Sequence, residues 1–440
     1  MWGDARKFAI SLGDLCEAKR IRLQTGPFGS QLHKHDYVTK GVPVVPTEAI
    51  GPRRIRTDGL PQVSEATAMR LQRHRLQKGD ILFARRGVQA TGLSGIVEND
   101  LVGGLCGTGA ILLRVLSPDI DPQYVSYCLA GPGVVHWIKA HAVGAVMPNV
   151  NEGLLRRLTI PLPPLDEQRR IADILRSLDD RIELNRRMNQ TLEAMARAIF
   201  KSWFIDFDPV HTKAQGHTPP GLDPTIAALF PDSFHDSPLG LIPTGWRVST
   251  VGDEFQLTMG QSPPGSTYNE AGAGIPFFQG RADFGFRYPT NRVYCTAPTR
   301  FADKHDTLVS VRAPVGDINL AAGRCAVGRG VAAVRHNGGS RSYTYHGMHT
   351  LSDHFARYEG EGTVFGSINR KGFTSIAWLA PEDGIIDAFE QTVHPIDEQV
   401  EVNIRQSMTL ATLRDALLPK LLCGELRVRQ IQGCTEGAIL

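Results

Sequence analysis

The feature that most constrains this chain is that it repeats itself. "VGAVMPNVNEGLLRRLTIPLPP", from Val143, lies over "EGTVFGSINRKGFTSIAWLAPE", from Glu361, with Gly144 on Gly362, Val146 on Val364, Asn151 on Asn369 and Pro163 on Pro381. The offset is 369 − 151 = 218. It continues without a gap as "LDDRIELNRRMNQTLEAM" from Leu178 lies over "IDEQVEVNIRQSMTLATL" from Ile396, so Asn185 meets Asn403 and Met195 meets Leu413. The tetrapeptides "LDEQ" at Leu165 and "IDEQ" at Ile396 offer a rival offset of 396 − 165 = 231, but the longer register agrees at many more positions. Upstream the match persists with a drifting offset, as loops of unequal length produce. "GVPVVP" at Gly41 resembles "GIPFFQ" at Gly274, "KGDILFARRG" at Lys78 resembles "KHDTLVSVRA" at Lys304, and "CGTG" at Cys106 resembles "CAVG" at Cys325. A chain of 440 residues built this way holds two copies of one plan rather than a single core.

Each copy opens with short β-type runs between glycine and proline turns, such as "VPVV", "DILFARRG" and "GAILLRV", and closes in a long helical run. The expected fold class is therefore α+β. Two similar domains, 1–160 and 245–380, are separated by two long antiparallel coiled-coil helices, 161–206 and 381–428, in a pseudo-twofold internal repeat. Residues 207–244 are rich in Pro, Gly, Ser and His and read as a linker, and 429–440 as a C-terminal tail.

Pro163 and Pro164 followed by Asp166 and Glu167 favour a helix start, because acidic groups complement the helix dipole. Apolar residues then recur at three- and four-residue steps: Ile171, Ile174, Leu178 and Ile182, then Met188, Leu192, Met195, Ile199 and Trp203. The second copy carries Ile396, Val400, Leu410, Leu413 and Leu417, with Pro395 predicting a kink or a late start. About 40 residues at 1.5 Å per residue make a rod of roughly 60 Å. Two equivalent helices pair most simply in antiparallel fashion, bringing Asn185 and Asn403 together near their midpoints. The result is a ruler with a similar domain at each end, and DNA half-sites about one helical turn apart, ~34 Å, suit it.

Composition excludes more than it assigns. The net charge of +3 is compatible with nucleic-acid binding without demonstrating it. Seven cysteines (Cys16, Cys106, Cys128, Cys295, Cys325, Cys423, Cys434) form no CxxC pair, which signals neither a disulfide framework nor a zinc site. No run of 18 apolar residues exists and "MWGDARKFAISLGDL" lacks a secretory pattern, so a cytoplasmic location is expected. "DPQYV" at Asp121 resembles the (D/N)PP(Y/F) loop of amino-methyltransferases, but Gln123 replaces the second proline and a helix start at Pro122 accounts for it better. "GGLCGTG" at Gly103 precedes a strand-like run, whereas a dinucleotide loop must open a helix. There is no Walker A sequence, and "HKH" at His33 reads better as an exposed loop than as a metal site.

The residues chosen for DNA contact are Arg85 and Arg86 in "FARRG", where a guanidinium at a strand end can fork onto guanine O6/N7 or a phosphate. Arg312 in "SVRAP" is the register equivalent of Arg86, since 312 − 86 = 306 − 80 = 226. The polar, glycine-rich loops "GPFGSQLHKHDY" and "GQSPPGSTYNE" add Ser30, Gln31, His33, Lys34, Gln261 and Ser262. No catalytic residue and no metal ligand is assigned.

"PLPPLDEQRRIADILRSLDDRIELNRRMNQTLEAMARAIFKSWFIDFDPV" and "TLATLRDALLPKLLCGELRV" resemble the central and distal helical regions of specificity subunits of type I restriction-modification systems. The resemblance covers nearly the whole chain. It implies two target-recognition domains, each reading half of a split asymmetric site in double-stranded DNA, and helices that carry two methyltransferase (modification) subunits, with an endonuclease/translocase (restriction) subunit joining that core. It implies a non-catalytic subunit that holds no cofactor, S-adenosylmethionine being bound by the methyltransferase partner. Ile171, Ile174, Leu178, Ile182, Leu192, Met195, Ile199, Leu410, Leu413 and Leu417 are assigned to the helix and partner interface. Two other readings stand beside it: a component of a fused restriction-methylation enzyme, and a protein-only coiled-coil adaptor.

Overall fold

The computed structural model describes residues 9–87, 90–142, 149–360 and 366–426. The Gly144/Gly362 and Val146/Val364 matches, Cys434 and the tail assigned to 429–440 lie outside them. The chain divides into two compact units, Met1–Leu184 with Arg405–Leu440, and Asn185–Ile404.

In the first unit, strands order as Ile21–Thr25, Ala110–Val115, Ile81–Ala84 and Ser94–Ile96 in one antiparallel sheet. A second sheet runs Tyr37–Val38, Gln62–Val63, Val42–Val45 and Leu105–Cys106, its last pairing parallel. "ILFA" and "AILL" are apolar at every position because both faces of the first sheet are covered. Ile81, Phe83, Ile111 and Leu113 enter one core, while Leu82, Ala84, Ala110 and Leu112 enter another.

The second unit has the same plan. Its first sheet orders Phe255–Met259, Val331–His336, Thr307–Ser310 and Ile318–Leu320. Its second orders Tyr268–Asn269, Tyr294–Cys295, Ile275–Phe278 and Cys325–Val327, with Phe301–Ala302 added at the edge. Ile81 faces Leu113 in one unit as Thr307 faces Val334 in the other, which makes Arg86 and Arg312 equivalent. The strand turns are pinned alike, by Arg114 Nε donating to Asp80 at 2.7 Å and Arg335 Nε to Asp306 at 2.6 Å. One expected match slips by two residues. Val45 pairs with Cys106 and Phe278 with Val327, so Gly107 corresponds to Gly328, not Ala326.

The two long helices are Leu165–Phe204 and Asp383–Leu422. The first starts where expected, with Gln168 buried and clamped: its Nε2 donates to Pro163 O at 2.7 Å and its Oε1 accepts from Asp121 N at 2.9 Å. The second does not start late at Pro395. Its opening turns are held by Ile385, Ile386, Phe389 and Val393 packing with Phe200, Trp203 and Phe204, which outweighs the one backbone bond that a proline removes. Residues 207–244 are likewise no bare linker. They form helices Asp208–Ala214 and Pro224–Leu229 and a hairpin, with Phe230 edge-on to Trp203 and Phe207 edge-on to Trp246.

Within each unit the helix segments run antiparallel. In the first, Ile171 and Leu175 share a core with Leu421 and Leu418, and Asp179 meets Arg414. In the second, Asn189 meets Asn403 and Phe200 meets Phe389. The buried stripe beyond Ile182 is polar: Asn185 Nδ2 donates to Asn403 O at 3.4 Å and Asn403 Nδ2 to Asn189 Oδ1 at 2.8 Å. An apolar template therefore selects the neighbouring face. Ile171 is buried, and Ile174, Leu178, Ile182, Leu192, Ile199, Leu410 and Leu417 are partly buried, but Met195 and Leu413 are 49% and 47% exposed. At these two levels the buried seam is formed instead by the next residues, Ala196 and Arg414.

Each unit grips its own helices through an arginine. In the second, Arg287 is 1% exposed, donates from Nη1 to Asp397 at 2.6 Å and from Nη2 to Glu193, and lies 4.5 Å over the Tyr345 ring. Burial opposes the charge on Asp397, yet the His346 hydrogen bond and Arg287 hold its carboxyl well below the usual carboxylate range. In the first, Arg53 lies 3.5 Å from Asp179, which also accepts from Tyr127 Oη at 2.9 Å and Arg414 at 2.5 Å. The counterparts obey the offset, 397 − 179 = 345 − 127 = 218, which also excludes the rival register of 231.

Two histidines make the fold acid-sensitive. Burial, then Arg73, lowers His74 to about 4, and burial, then Arg197, lowers His349 to about 3. Below the unfolded value of about 6.5 the unfolded chain takes up protons that the folded chain refuses, so stability falls as pH drops from there toward the folded values. Each histidine should cost on the order of 2 kcal/mol between pH 7.5 and 5. Thermal melts at the two pH values check this, and a midpoint unchanged at pH 5 would contradict it.

Candidate nucleic-acid interface

In the second unit four chain segments meet at one end of the sheets. Gly260 N donates to Val331 O at 3.0 Å, Gly328 N to Phe278 O at 2.8 Å, Gly330 N to Gln279 O at 3.0 Å and Val311 N to Gly330 O at 2.9 Å. The approach is close enough to require glycine, since a Cβ on Gly260 would stand 2.1 Å from Gly328 O. These segments enclose an open concavity of 580 Å³ lined by Ser262, Tyr268, Gln279, Arg281, Arg312 and Arg329, among others, with no acidic side chain among its lining residues. Ser262 Oγ accepts from Arg329 N at 3.3 Å, and Arg281 is paired with Asp317 at 2.6 Å. Arg312 and Arg329 are exposed, and neither side chain has a hydrogen bond or ion pair among the described residues.

The first unit brings the same segments together. Gly26 N donates to Ala110 O at 2.9 Å, Gly107 N to Val45 O at 3.0 Å and Arg85 N to Gly109 O at 2.9 Å. A Cβ on Gly109 would meet Thr47 Oγ1 at 2.0 Å and Arg86 Nε at 3.5 Å. The two arginines of "FARRG" separate here. Arg85 Nε is tied to Asn149 Oδ1 at 2.9 Å, whereas Arg86 is exposed.

The remaining candidates divide too. Ser262 joins Arg312 in the concavity, and Gln261 is exposed beside it, its backbone N–H donating to Val327 O at 3.0 Å. Ser30, Gln31, His33 and Lys34 sit on a longer loop anchored by Leu32 in a small core of its own. Gln31 Oε1 folds back to accept from Phe28 N at 3.1 Å, and His33 stacks on His35 at 5.1 Å. No group of three metal-ligating side chains occurs among the described residues. Sequence reasoning missed Gln279 and Arg329. The signal for Arg329 was present in "VGRG", an arginine isolated between glycines, but the two-residue slip in the "CGTG" match hid it.

Residues 9–194 match the family described as "Type I restriction modification DNA specificity domain". The chain is 30% identical over 397 residues, 88% of each chain, to a putative type I restriction enzyme MjaX specificity subunit of Methanocaldococcus jannaschii. It is 25% identical over 412 residues, covering 80% of this chain and 87% of the other, to the type I restriction enzyme HindI specificity subunit of Haemophilus influenzae. The crystal structure of a type I restriction-modification system S subunit from M. genitalium shares the fold, with a TM-score of 0.55 at 16% identity over 94% of this chain and 95% of that one. With this similarity along most of its length, the chain belongs to the family of type I restriction-modification specificity subunits, a DNA-recognition role rather than a catalytic one.

Proposed function

We propose that the chain reads a bipartite, asymmetric DNA site, one half through each target-recognition domain (1–160 and 245–380), and carries two methyltransferase subunits on its helices (161–206 and 381–428). The observation that carries this reading is the duplicated loop cluster, with Arg86 and Arg312 at the same register in two different polar surroundings. Side chains reaching base edges supply sequence information, while lysine and arginine contacts to phosphate supply salt-dependent affinity. Arg85, held by Asn149, is better suited to shaping the turn, and Ser30, Gln31, His33, Lys34, Gln261 and Ser262 to edge or backbone contacts. The antiparallel helices act as a coiled-coil spacer between the two readers. S-adenosylmethionine chemistry and DNA cleavage belong to the methyltransferase and restriction subunits. No described helix is long and apolar enough to cross a membrane, and work on the cell's DNA in the cytoplasm is the matching location.

Domain exchange tests this directly. Replacing residues 1–155 with the matching domain of a related subunit is expected to change one half-site, read by mapping modified adenines in cells carrying the complex, and to leave the other intact. Simultaneous change of both halves would refute independent reading.

A further inference from the structure

We propose that the half-site read by the second unit contains two G·C base pairs, one engaged by Arg312 and one by Arg329, and that the first unit has a counterpart only for Arg312. The proposal rests on the DNA-specificity reading above and adds the identity of the bases.

Both arginines stand on fixed stems. Gly328 and Gly330 press the backbone into the core, where a Cβ would meet the Phe277 ring at 3.0 Å or Gln279 O at 2.3 Å, so Arg329 is the one side chain that this turn presents. Arg312 follows the buried Val311, and its backbone bridges to Ser367. Arg281, the third arginine of the concavity, is already neutralised by Asp317. Two guanidiniums with no partner among the described residues remain, beside the neutral hydrogen-bonding side chains of Ser262, Tyr268 and Gln279. Of the base edges in the major groove, guanine alone offers two acceptors, O6 and N7, to a forked donor. Neutral neighbours around both forks suit reading of base edges better than simple charge neutralisation along a phosphate chain.

The first unit differs at this point. Arg86 matches Arg312, but the strand register puts Thr108 where the second unit has Arg329. The adjoining turn is Pro46-Thr47-Glu48 in place of Gln279-Gly280-Arg281, and its exposed Glu48 repels guanine acceptors while suiting the cytosine amino group. The asymmetry of the site thus has a residue-level origin.

The test uses the chain assembled with its methyltransferase subunits. Mapping modified adenines in cells carrying this complex gives the site, and domain exchange assigns each half. Binding to duplexes with that site, and to singly substituted versions, is then measured at several salt concentrations for the wild type and for Arg312→Ala, Arg329→Ala and Arg86→Ala. The expected result is two G·C pairs in the second half-site, with Arg312→Ala and Arg329→Ala each abolishing discrimination at a different one, a loss of roughly 5- to 150-fold. Discrimination in the other half stays unchanged, and Arg86→Ala acts there alone. A second half-site without two G·C pairs overturns the proposal, as does equal weakening of all duplexes with a salt slope reduced by about one, the mark of a phosphate contact, or no change at all. A wild-type complex with no preferred sequence would instead overturn the specificity reading itself. Unchanged melting and partner co-purification establish that these surface variants are folded.

Discussion

Arg287→Ala is expected to destabilise the second unit by about 3–5 kcal/mol, because it strands Glu193 and Asp397 in the interior without their shared cation. The geometry makes the loss larger than for a surface pair. The guanidinium bonds both carboxylates, one from each long helix, and covers the Tyr345 ring. In a unit of this size the melting midpoint should fall by roughly 6–20 °C. The Asp397 carboxyl is depressed, so its contribution is fully present above the ordinary carboxylate value and is lost only as pH falls below it, leaving the histidines to account for weakening near pH 5. Replacing Glu193, Arg287 and Asp397 together with apolar residues of similar volume should restore most of the stability, since the buried charges are costly to desolvate. A loss under about 1 kcal/mol in Arg287→Ala, by denaturant titration, would mean that the clasp is relaxed by water and contributes little.

Loss of partner binding without loss of fold is expected from Met195→Asp combined with Leu413→Asp. These positions are equivalent by the 218-residue repeat, and both are apolar and about half exposed. Leu184 and Val402, equivalent by the same offset, are exposed as well. Under the proposed function these residues are docking surfaces for the two methyltransferase subunits. A carboxylate forced into such a contact costs several kcal/mol, or at least ~100-fold in affinity. The double variant should melt within about 1 kcal/mol of the wild type yet fail to co-purify with methyltransferase, while each single variant should retain one subunit of two. A collapsed melt would return both residues to the helix seam, and full recruitment of two subunits would move the docking surface elsewhere.

What was legible in the sequence follows from what periodicity can report. The repeat was visible because the helices and the turn capped by Asn151 and Asn369 tolerate no insertion, which keeps the offset constant. Arg86 and Arg312 were visible because they follow buried strands whose spacing is fixed by the sheet. The helix seam was read one residue off because its middle is built from Asn185, Asn189 and Asn403, and an apolar template cannot register amides that satisfy one another. The clasps were illegible for another reason. Arg53 and Arg287 lie in loops at an offset of 287 − 53 = 234, and nothing local marks an arginine whose acids are 94 or more residues away.

The chain order of the two units bears on how the protein is made. The second unit is one continuous stretch, 185–404, but the first closes only when residues 405–422 arrive to cover Ile171 and Leu175 with Leu418, Leu421 and Leu422. About 220 residues separate the two halves of that core, which at roughly 5–20 residues per second leaves its apolar face open for some 10–45 s of synthesis. Of the two units, the one whose synthesis begins first is therefore the one finished last, and chains stopped before the final helical turns would expose the surface that quality-control proteases and chaperones recognise.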